Sequence, residues 1–422
     1  MNILKKRVWG LVLLTSLMEV TSATHFARDW PQWRGPNRDG VIASYSSPKV
    51  WPDKLKLKWS VSVGTGHSSP VVADERVYLI TRQDGHEVIS CLNLSDGKRL
   101  WQDKYPTTYP VHEAARDHGD GPKATPVLHR GRLYALGITG IMSCFDAGTG
   151  KLIWRKEPRG GVNEAYPRFG MAISPIVVGN VLIAPTGGNR LTGALTAFNI
   201  NTGEAVWRWA NDRMHPDDGP EYSSPIVAEI GETTQLITIA GKKVIGILPE
   251  NGRLLWQFPF EADWESTVTP LFHRQMVIVS GHSIGMFALR INRCGNDWSV
   301  ERVWQNPNLF TFMNSPVGYG DLLFGLALRN KGQYFCADAN TGKTLWVTEG
   351  READNASIIR GGEDMFILTD EGVLIVAKSN SKGFEPVRRY QVADSPTWAH
   401  PVVLGRQVMI KDSTKLALWS FE

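Results

Sequence analysis

The stretch Asp146-Ala147-Gly148-Thr149-Gly150-Lys151-Leu152-Ile153-Trp154 decides the fold, because it returns as Asp338-Ala339-Asn340-Thr341-Gly342-Lys343-Thr344-Leu345-Trp346. Its core is a turn glycine with tryptophan four positions on. That core recurs at Asp96-Gly97 before Trp101, Thr202-Gly203 before Trp207 and Asn251-Gly252 before Trp256. Trp304 fits another copy after a longer connection. Asp-Gly, Asn-Gly and Thr-Gly pairs supply the positive φ of a hairpin turn, so each Trp falls on the strand that follows, packed between repeats.

A second mark precedes these turns: Ser69-Pro70, Thr125-Pro126, Ser174-Pro175, Ser224-Pro225, Thr269-Pro270 and Ser315-Pro316. Ser357-Ile358 is a copy without its proline and His400-Pro401 an altered last copy, which makes eight. Proline at the first position of a strand loses no ladder bond, so each mark opens a strand. Between the marks lies room for two more strands, such as 76–81 and 88–93. Four strands in about 45 residues is the size of a propeller blade. An open sheet of so many strands would leave long edges, whereas a ring leaves short ones.

The expected fold is therefore all-β: an eight-bladed β-propeller of four-stranded antiparallel blades over 51–422. The eighth copy stops at Glu422 where its fourth strand is due. Leu55-Lys56-Leu57-Lys58-Trp59-Ser60-Val61, with Trp59 in the expected place, supplies that strand from the N-terminal side and closes the last blade. Cys91, Cys144 and Cys336 stand six residues before the turn glycine, where the other copies hold Ala197, Gly246, Ala288, Ala377 and Ala417. The position selects small volume, so these thiols read as small hydrophobes rather than half-cystines. Cys294 sits apart, in the turn of the fifth copy, and no structural disulfide is expected.

Ahead of the ring, Lys5, Lys6 and Arg7 precede an apolar run from Val8 to Leu17, and Thr21-Ser22-Ala23 supplies small residues. That order is a signal peptide over 1–23, too short to span a bilayer, and it implies an exported chain, periplasmic or secreted. Residues 24–50 are read as an N-terminal cap. Cleavage after Ala23 removes three positive charges and one negative, taking the net charge from +4 to +2. So small a charge makes no case for nucleic acid or anionic lipid. The mature chain is expected to be a monomer without a transmembrane segment.

With these repeats laid out, the chain resembles the quinoprotein-type (PQQ-like) β-propeller family over roughly 50–422. The Trp-Asp endings of WD40 repeats are absent. Trp30-Pro31-Gln32-Trp33-Arg34-Gly35-Pro36-Asn37-Arg38-Asp39-Gly40 is similar to the opening of exported bacterial BamB-like members. The resemblance implies one of two functions. Quinoprotein alcohol dehydrogenases hold pyrroloquinoline quinone (PQQ) and Ca²⁺ in the central funnel, with a disulfide of adjacent cysteines, a Trp beneath the quinone, and Glu, Asn and Asp for metal and base. BamB-like members bind proteins and use no cofactor. No two of the four cysteines here are adjacent, and none lies near Ala23 for lipid attachment.

The returns between blades are unequal, and the three longest crowd one side of one mouth. The first carries His112, Glu113, Arg116 and His118, the second Arg168, and the third His215, Asp217, Glu221 and Tyr222. Shorter returns add His67, Trp264, Asn314, Trp398 and His400. Loops on a rigid scaffold are where function concentrates, so these are the candidate ligand- or partner-binding residues. His112-Glu113 with His118 has the second imidazole at i+6, and Gly119-Asp120-Gly121-Pro122 follows, so it is no helical zinc motif. Asp217-Asp218-Gly219 lacks the remaining oxygens of a calcium loop. No metal site is expected. The hydroxyls of Ser223-Ser224-Pro225 recur at Ser68-Ser69-Pro70, so they belong to the repeat and not to a nucleophile.

The leading expectation is a non-catalytic propeller that binds a protein, a small ligand or a glycan at its loop-bearing face, with no cofactor. The alternatives are a PQQ- and Ca²⁺-dependent oxidoreductase with an atypical site, and a carbohydrate binder that stacks sugars on Trp264 and Trp398.

Overall fold

The computed structural model describes residues 29–157, 167–185, 195–209, 222–264, 266–328 and 332–422. The signal segment lies outside them. Eight sheets follow one another along the chain, each an antiparallel meander of four strands. Blades 1 to 7 occupy 71–106, 127–156, 176–209, 226–259, 271–306, 317–347 and 356–391. Blade 8 takes three strands from 402–420, and Lys56–Ser62 pairs antiparallel with Lys415–Ser420 as its fourth. The ring closes as expected, through the N-terminal strand. Blade 7 also gains a strand that periodicity did not mark: Val41–Ile42, parallel to Ala356–Gly361. The one helix among the described residues is the 3₁₀ turn Glu113–His118, and no described helix is long and apolar enough to cross a membrane.

The two sequence marks are the two fastenings of the ring. The first acts at the centre. Mark hydroxyls accept the backbone N–H of the preceding blade's mark: Ser69 N–H donates to Thr125 at 3.2 Å, Thr125 N–H to Ser174 at 3.0 Å, and Ser174 N–H to Ser224 at 3.0 Å. Thr269 donates to Ser315 at 2.9 Å, and His400 of blade 8 donates to Ser69 of blade 1 at 2.8 Å, across the closure. The second fastening acts near the rim. Trp101 Nε1–H donates to the Ala147 carbonyl in the turn of the next blade at 2.9 Å, and Trp59, Trp154, Trp207, Trp304 and Trp346 do the same to Leu94, Ile200, Pro249, Ala339 and Asn380. The turn glycine lies under the indole of the preceding blade. A Cβ on Gly150 would stand 2.5 Å from the Trp101 ring, and its φ is +75°. Glycine is therefore required twice over, for the turn and for the close approach.

Two exceptions follow from the same geometry. Blade 5 has a long hairpin, Gly285–Cys294 with Asp297–Asn306, where other blades have the tight turn. Trp256 of blade 4 turns inward instead and donates to Gln235 Oε1 at 2.6 Å. Blade 8 has no turn before its fourth strand, because that strand comes from elsewhere in the chain. Blade 7 correspondingly has no tryptophan: Arg388 stands in its place.

The small-residue register needs correction in these last two blades. Cys91, Cys144, Ala197, Gly246, Ala288 and Cys336 each pair directly with their blade's tryptophan. In blade 7, however, the equivalent residue is Val376 rather than Ala377, and in blade 8 it is Leu418 rather than Ala417. Gly383, from which Ala377 is counted, lacks the positive φ of the other turn glycines, and blade 8 offers no turn to count from. In these two blades the position holds larger residues, Val376 opposite Arg388 and Leu418 opposite Trp59. All four cysteines are free, three buried and Cys294 exposed.

The N-terminal segment lies across one end of the ring. Trp30 bridges Val72 of blade 1, the Pro31 carbonyl accepts Leu128 N–H of blade 2 at 2.8 Å, and Trp33 Nε1–H donates to Thr269 Oγ1 of blade 5 at 2.9 Å. Arg34 donates to the Ser315 and Pro316 carbonyls of blade 6, and Arg38 to the Ser174 and Pro175 carbonyls of blade 3. Both guanidiniums are almost wholly buried, and burial lowers their pKa values to about 10 and about 9, so both stay charged at neutral pH. Tyr45 and Ser47 end the crossing on Asp364 of blade 7.

Candidate functional site

A cavity of about 170 Å³ opens at the mouth where each blade's outer strand returns to the next inner strand. All eight returns contribute, and they do so in one register. His67, Lys123, Ala172, Tyr222, Thr267, Met313, Asn355 and Trp398 all line it. Each stands two residues before its mark, at Ser69, Thr125, Ser174, Ser224, Thr269, Ser315, Ser357 and His400 respectively. Extended chain repeats its direction every second residue, so the mark and the residue two before it face the same way. The marks form a nearly uniform ring of hydroxyls that fastens the blades. The residues two before them form a varied ring that walls the cavity.

Rings dominate that wall. Trp398 meets His118 edge-on at 4.8 Å, His118 meets Phe169 at 6.0 Å and Phe169 meets Tyr222 at 5.6 Å. Phe312 adds another ring, and Trp33 of the N-terminal segment reaches in to meet His400 edge-on at 4.4 Å. Lys123 is the cation in the lining. Its ammonium donates to the Phe169 carbonyl at 2.9 Å, and burial lowers its pKa to about 8, with Asp120 opposing the shift. His67 Nε2–H donates to the His118 carbonyl at 3.0 Å, which fixes its tautomer. Burial, helped by Lys123 and His118, pulls His67 down to about 3; burial also lowers His118, and takes His400 well below the usual imidazole range. All three imidazoles are neutral at pH 7. The His400 Nδ1 is buried without a hydrogen-bond partner. Among the described lining residues there is no carboxylate.

Of the residues singled out from the sequence, His67, His118, Tyr222, Trp398 and His400 meet in this cavity. His112, Glu113 and Arg116 lie outside it, exposed on the 3₁₀ turn, where His112 Nδ1 caps Ala114 N–H at 3.1 Å. Arg168 is exposed beside Phe169, and its carbonyl accepts the Tyr109 hydroxyl at 3.0 Å. Asn314 is not a rim group: it is buried, and its Oδ1 accepts Leu326 N–H at 3.2 Å. Trp264 stacks on His282 at 3.7 Å outside the lining, so it makes no shared platform with Trp398. His215, Asp217 and Glu221 lie outside the described residues. Sequence reasoning missed Trp33, Lys123, Phe169 and Phe312. Lys123 could have been found by counting two back from each mark; the others follow from no repeat position.

The chain also contains a G-x-S-x-G pentapeptide, Gly281-His282-Ser283-Ile284-Gly285, the pattern of a hydrolase nucleophile elbow. Here it is the turn between two strands of blade 5, with no helix after it, and Ser283 Oγ–H donates to its neighbour's carbonyl at 2.6 Å. It does not present a nucleophile.

A family model described as outer membrane protein assembly factor BamB matches residues 85–348, more than half of the chain. The chain belongs to that family, one of PQQ-like β-propellers. It is 22% identical over 380 residues to outer membrane protein assembly factor BamB of Shewanella oneidensis, covering 87% of this chain and 89% of that one. It is 25% identical over 198 residues to quinohemoprotein alcohol dehydrogenase ADH-IIG of Pseudomonas putida, covering 45% of this chain and 26% of the dehydrogenase. The chain thus spans about a quarter of that relative's length. The crystal structure of quinohemoprotein alcohol dehydrogenase from Comamonas testosteroni superposes with a TM-score of 0.70 at 14% identity, covering 95% of this chain and 81% of that one. That likeness is one of fold.

The dehydrogenase relatives raise the question of a quinone with Ca²⁺. A hard cation needs six to eight oxygen ligands, carboxylates foremost. The described lining offers Asn355 and hydroxyls but no Asp or Glu, and no group of three or more metal-binding side chains occurs among the described residues. Three of the cysteines are buried inside blades. The residues described at this mouth do not fit the quinone–calcium pair.

Proposed function

We propose that this chain is an exported, non-catalytic propeller that binds a protein or small ligand at its loop-bearing mouth. The observation that carries this reading is the varied ring. Eight returns on a uniform scaffold each aim one side chain of different chemistry into one cavity, which is how a fixed fold is adapted to a ligand. The relative that matches along nearly the whole chain is named as an assembly factor, which supports binding over turnover. The N-terminal segment leaves the opposite end of the ring crossed by Trp30, Arg34 and Arg38, so the loop-bearing mouth is the open approach.

The test is photo-crosslinking in the exported protein, with the probe residue placed at Arg116 beside the mouth and, separately, at Leu57 on the outer strand of blade 8. Adducts at position 116 and none at 57 are expected. Adducts confined to 57 would overturn the placement. Reconstitution with PQQ and Ca²⁺ tests the catalytic alternative. Stoichiometric uptake with dye-linked alcohol oxidation would overturn the non-catalytic reading.

A further inference from the structure

We propose that the cavity at the loop-bearing mouth is a receptor for a small aromatic carboxylate, a single ring whose acid group is taken by Lys123. This rests on the reading of that mouth as the binding site and names the ligand's chemistry. Three observations carry it. The first is size: about 170 Å³ is the scale of one substituted six-membered ring, since an apolar cavity of ~150 Å³ holds benzene, and it is small for a fused three-ring quinone. The second is the wall. Trp33, Trp398, Phe169 and Phe312 present ring faces and edges, which favour a flat partner over a branched aliphatic one.

The third is the polar inventory. Lys123 brings a positive charge into a lining where the described residues supply no negative one, and its ammonium is bonded to backbone carbonyls rather than paired with a carboxylate. A charge-assisted bond to a carboxylate is stronger than a bond to a carbonyl, so an acid is favoured over its neutral amide. His400, which lines this cavity, carries an Nδ1 that is buried without a partner. A buried polar atom without a hydrogen bond is costly, and a ligand that supplies the partner recovers that cost. A cationic ring ligand would face Lys123 with no carboxylate among the described lining residues to offset it.

The experiment measures binding of 4-fluorobenzoate, 4-fluorobenzamide and 4-fluorobenzylamine to the full exported chain, by calorimetry and by fluorine line broadening. The acid is expected to bind more tightly than the amide, and the amine least. Lys123→Met should weaken the acid about tenfold and leave the amide unchanged, the size of one charge-assisted bond. Lys123 also holds a loop carbonyl, so Ala172→Phe serves as the second variant: it fills the cavity from the opposite chemistry and should abolish binding of all three. Equal binding of acid and amine, or an acid affinity unmoved by Lys123→Met in a folded variant, overturns the carboxylate assignment. If the probes bind alike and Ala172→Phe removes them, the mouth stands as a binding site and only the anion preference fails. No binding by any probe overturns the aromatic receptor, while the crosslinking pattern judges the mouth separately.

Discussion

His67 and His400 show how much a position in this ring changes a side chain. In an unfolded chain both imidazoles take up a proton near pH 6.5. In the folded ring they stay neutral, His67 down to about 3, because burial disfavours the charged form and Lys123, His118 and Lys411 (for His67) or Arg34 (for His400) oppose a further positive charge. Between pH 6.5 and 3 the unfolded chain therefore binds more protons, so their contribution to stability is complete above 6.5 and is lost as pH falls. We expect the urea midpoint to drop on acidification from pH 7 to 4, and to drop less in a His67→Gln, His400→Gln double variant. A pH slope equal to that of the parent would show that the two rings do not titrate this way. Neither shift is visible in the sequence, where His67 is a residue two before a mark and His400 is the last, altered mark. Groups distant along the chain pack on them, Trp398 and His118 on His67 and Trp33 on His400.

At the scale of elements, the fastening between blades reads directly from the repeat, and its irregularities read from the closure. A blade's indole needs the next blade's turn, so the tryptophan disappears in blade 7, where blade 8 has no turn to receive it. Trp59 is the converse case. It sits on a strand held to blade 8 only by pairing, and its Nε1–H reaches the Leu94 carbonyl of blade 1 at 2.8 Å. Removing it leaves a cavity and an unpaired buried carbonyl at the seam. Trp59→Ala should cost roughly 3–5 kcal/mol and expose the segment before it to protease, whereas a loss under about 1 kcal/mol would mean that the seam is fastened elsewhere. The register of the small residues failed only in blades 7 and 8, where the left-handed turn glycine that sets the count is missing. Periodicity carries an alignment as far as its anchor and no further.

For the whole molecule, the decisive part is the segment from Trp30 to Ser47. It bonds to blades 1, 2, 3, 5, 6 and 7, and its two arginines donate to carbonyls of the mark residues Ser174 and Ser315 and of the prolines after them. Those carbonyls belong to residues that precede the ladders of blades 3 and 6, so buried guanidiniums rather than sheet partners satisfy them. An Arg34→Met, Arg38→Met variant strands four buried acceptors. It should lose on the order of 4 kcal/mol or more in urea unfolding and release the segment to protease while the blades stay folded. Unchanged stability would mean that water replaces the arginines at no cost. Because Trp33 rides on this segment and lines the cavity, the same variant should also loosen the site.

The sequence by itself determined the all-β class, the number of blades, the strand that closes the ring and five of the residues that meet in the cavity. These are local or periodic properties, and eight copies of one pattern leave little freedom in how they stack. Only the tertiary structure decided that the residue two before each mark forms the wall, that Lys123 is the cation there, and that the N-terminal segment crosses the ring and carries Trp33 into the site. Those facts depend on which residues of eight distant returns converge. Convergence at the centre of a ring is set by closure, and no single repeat records it.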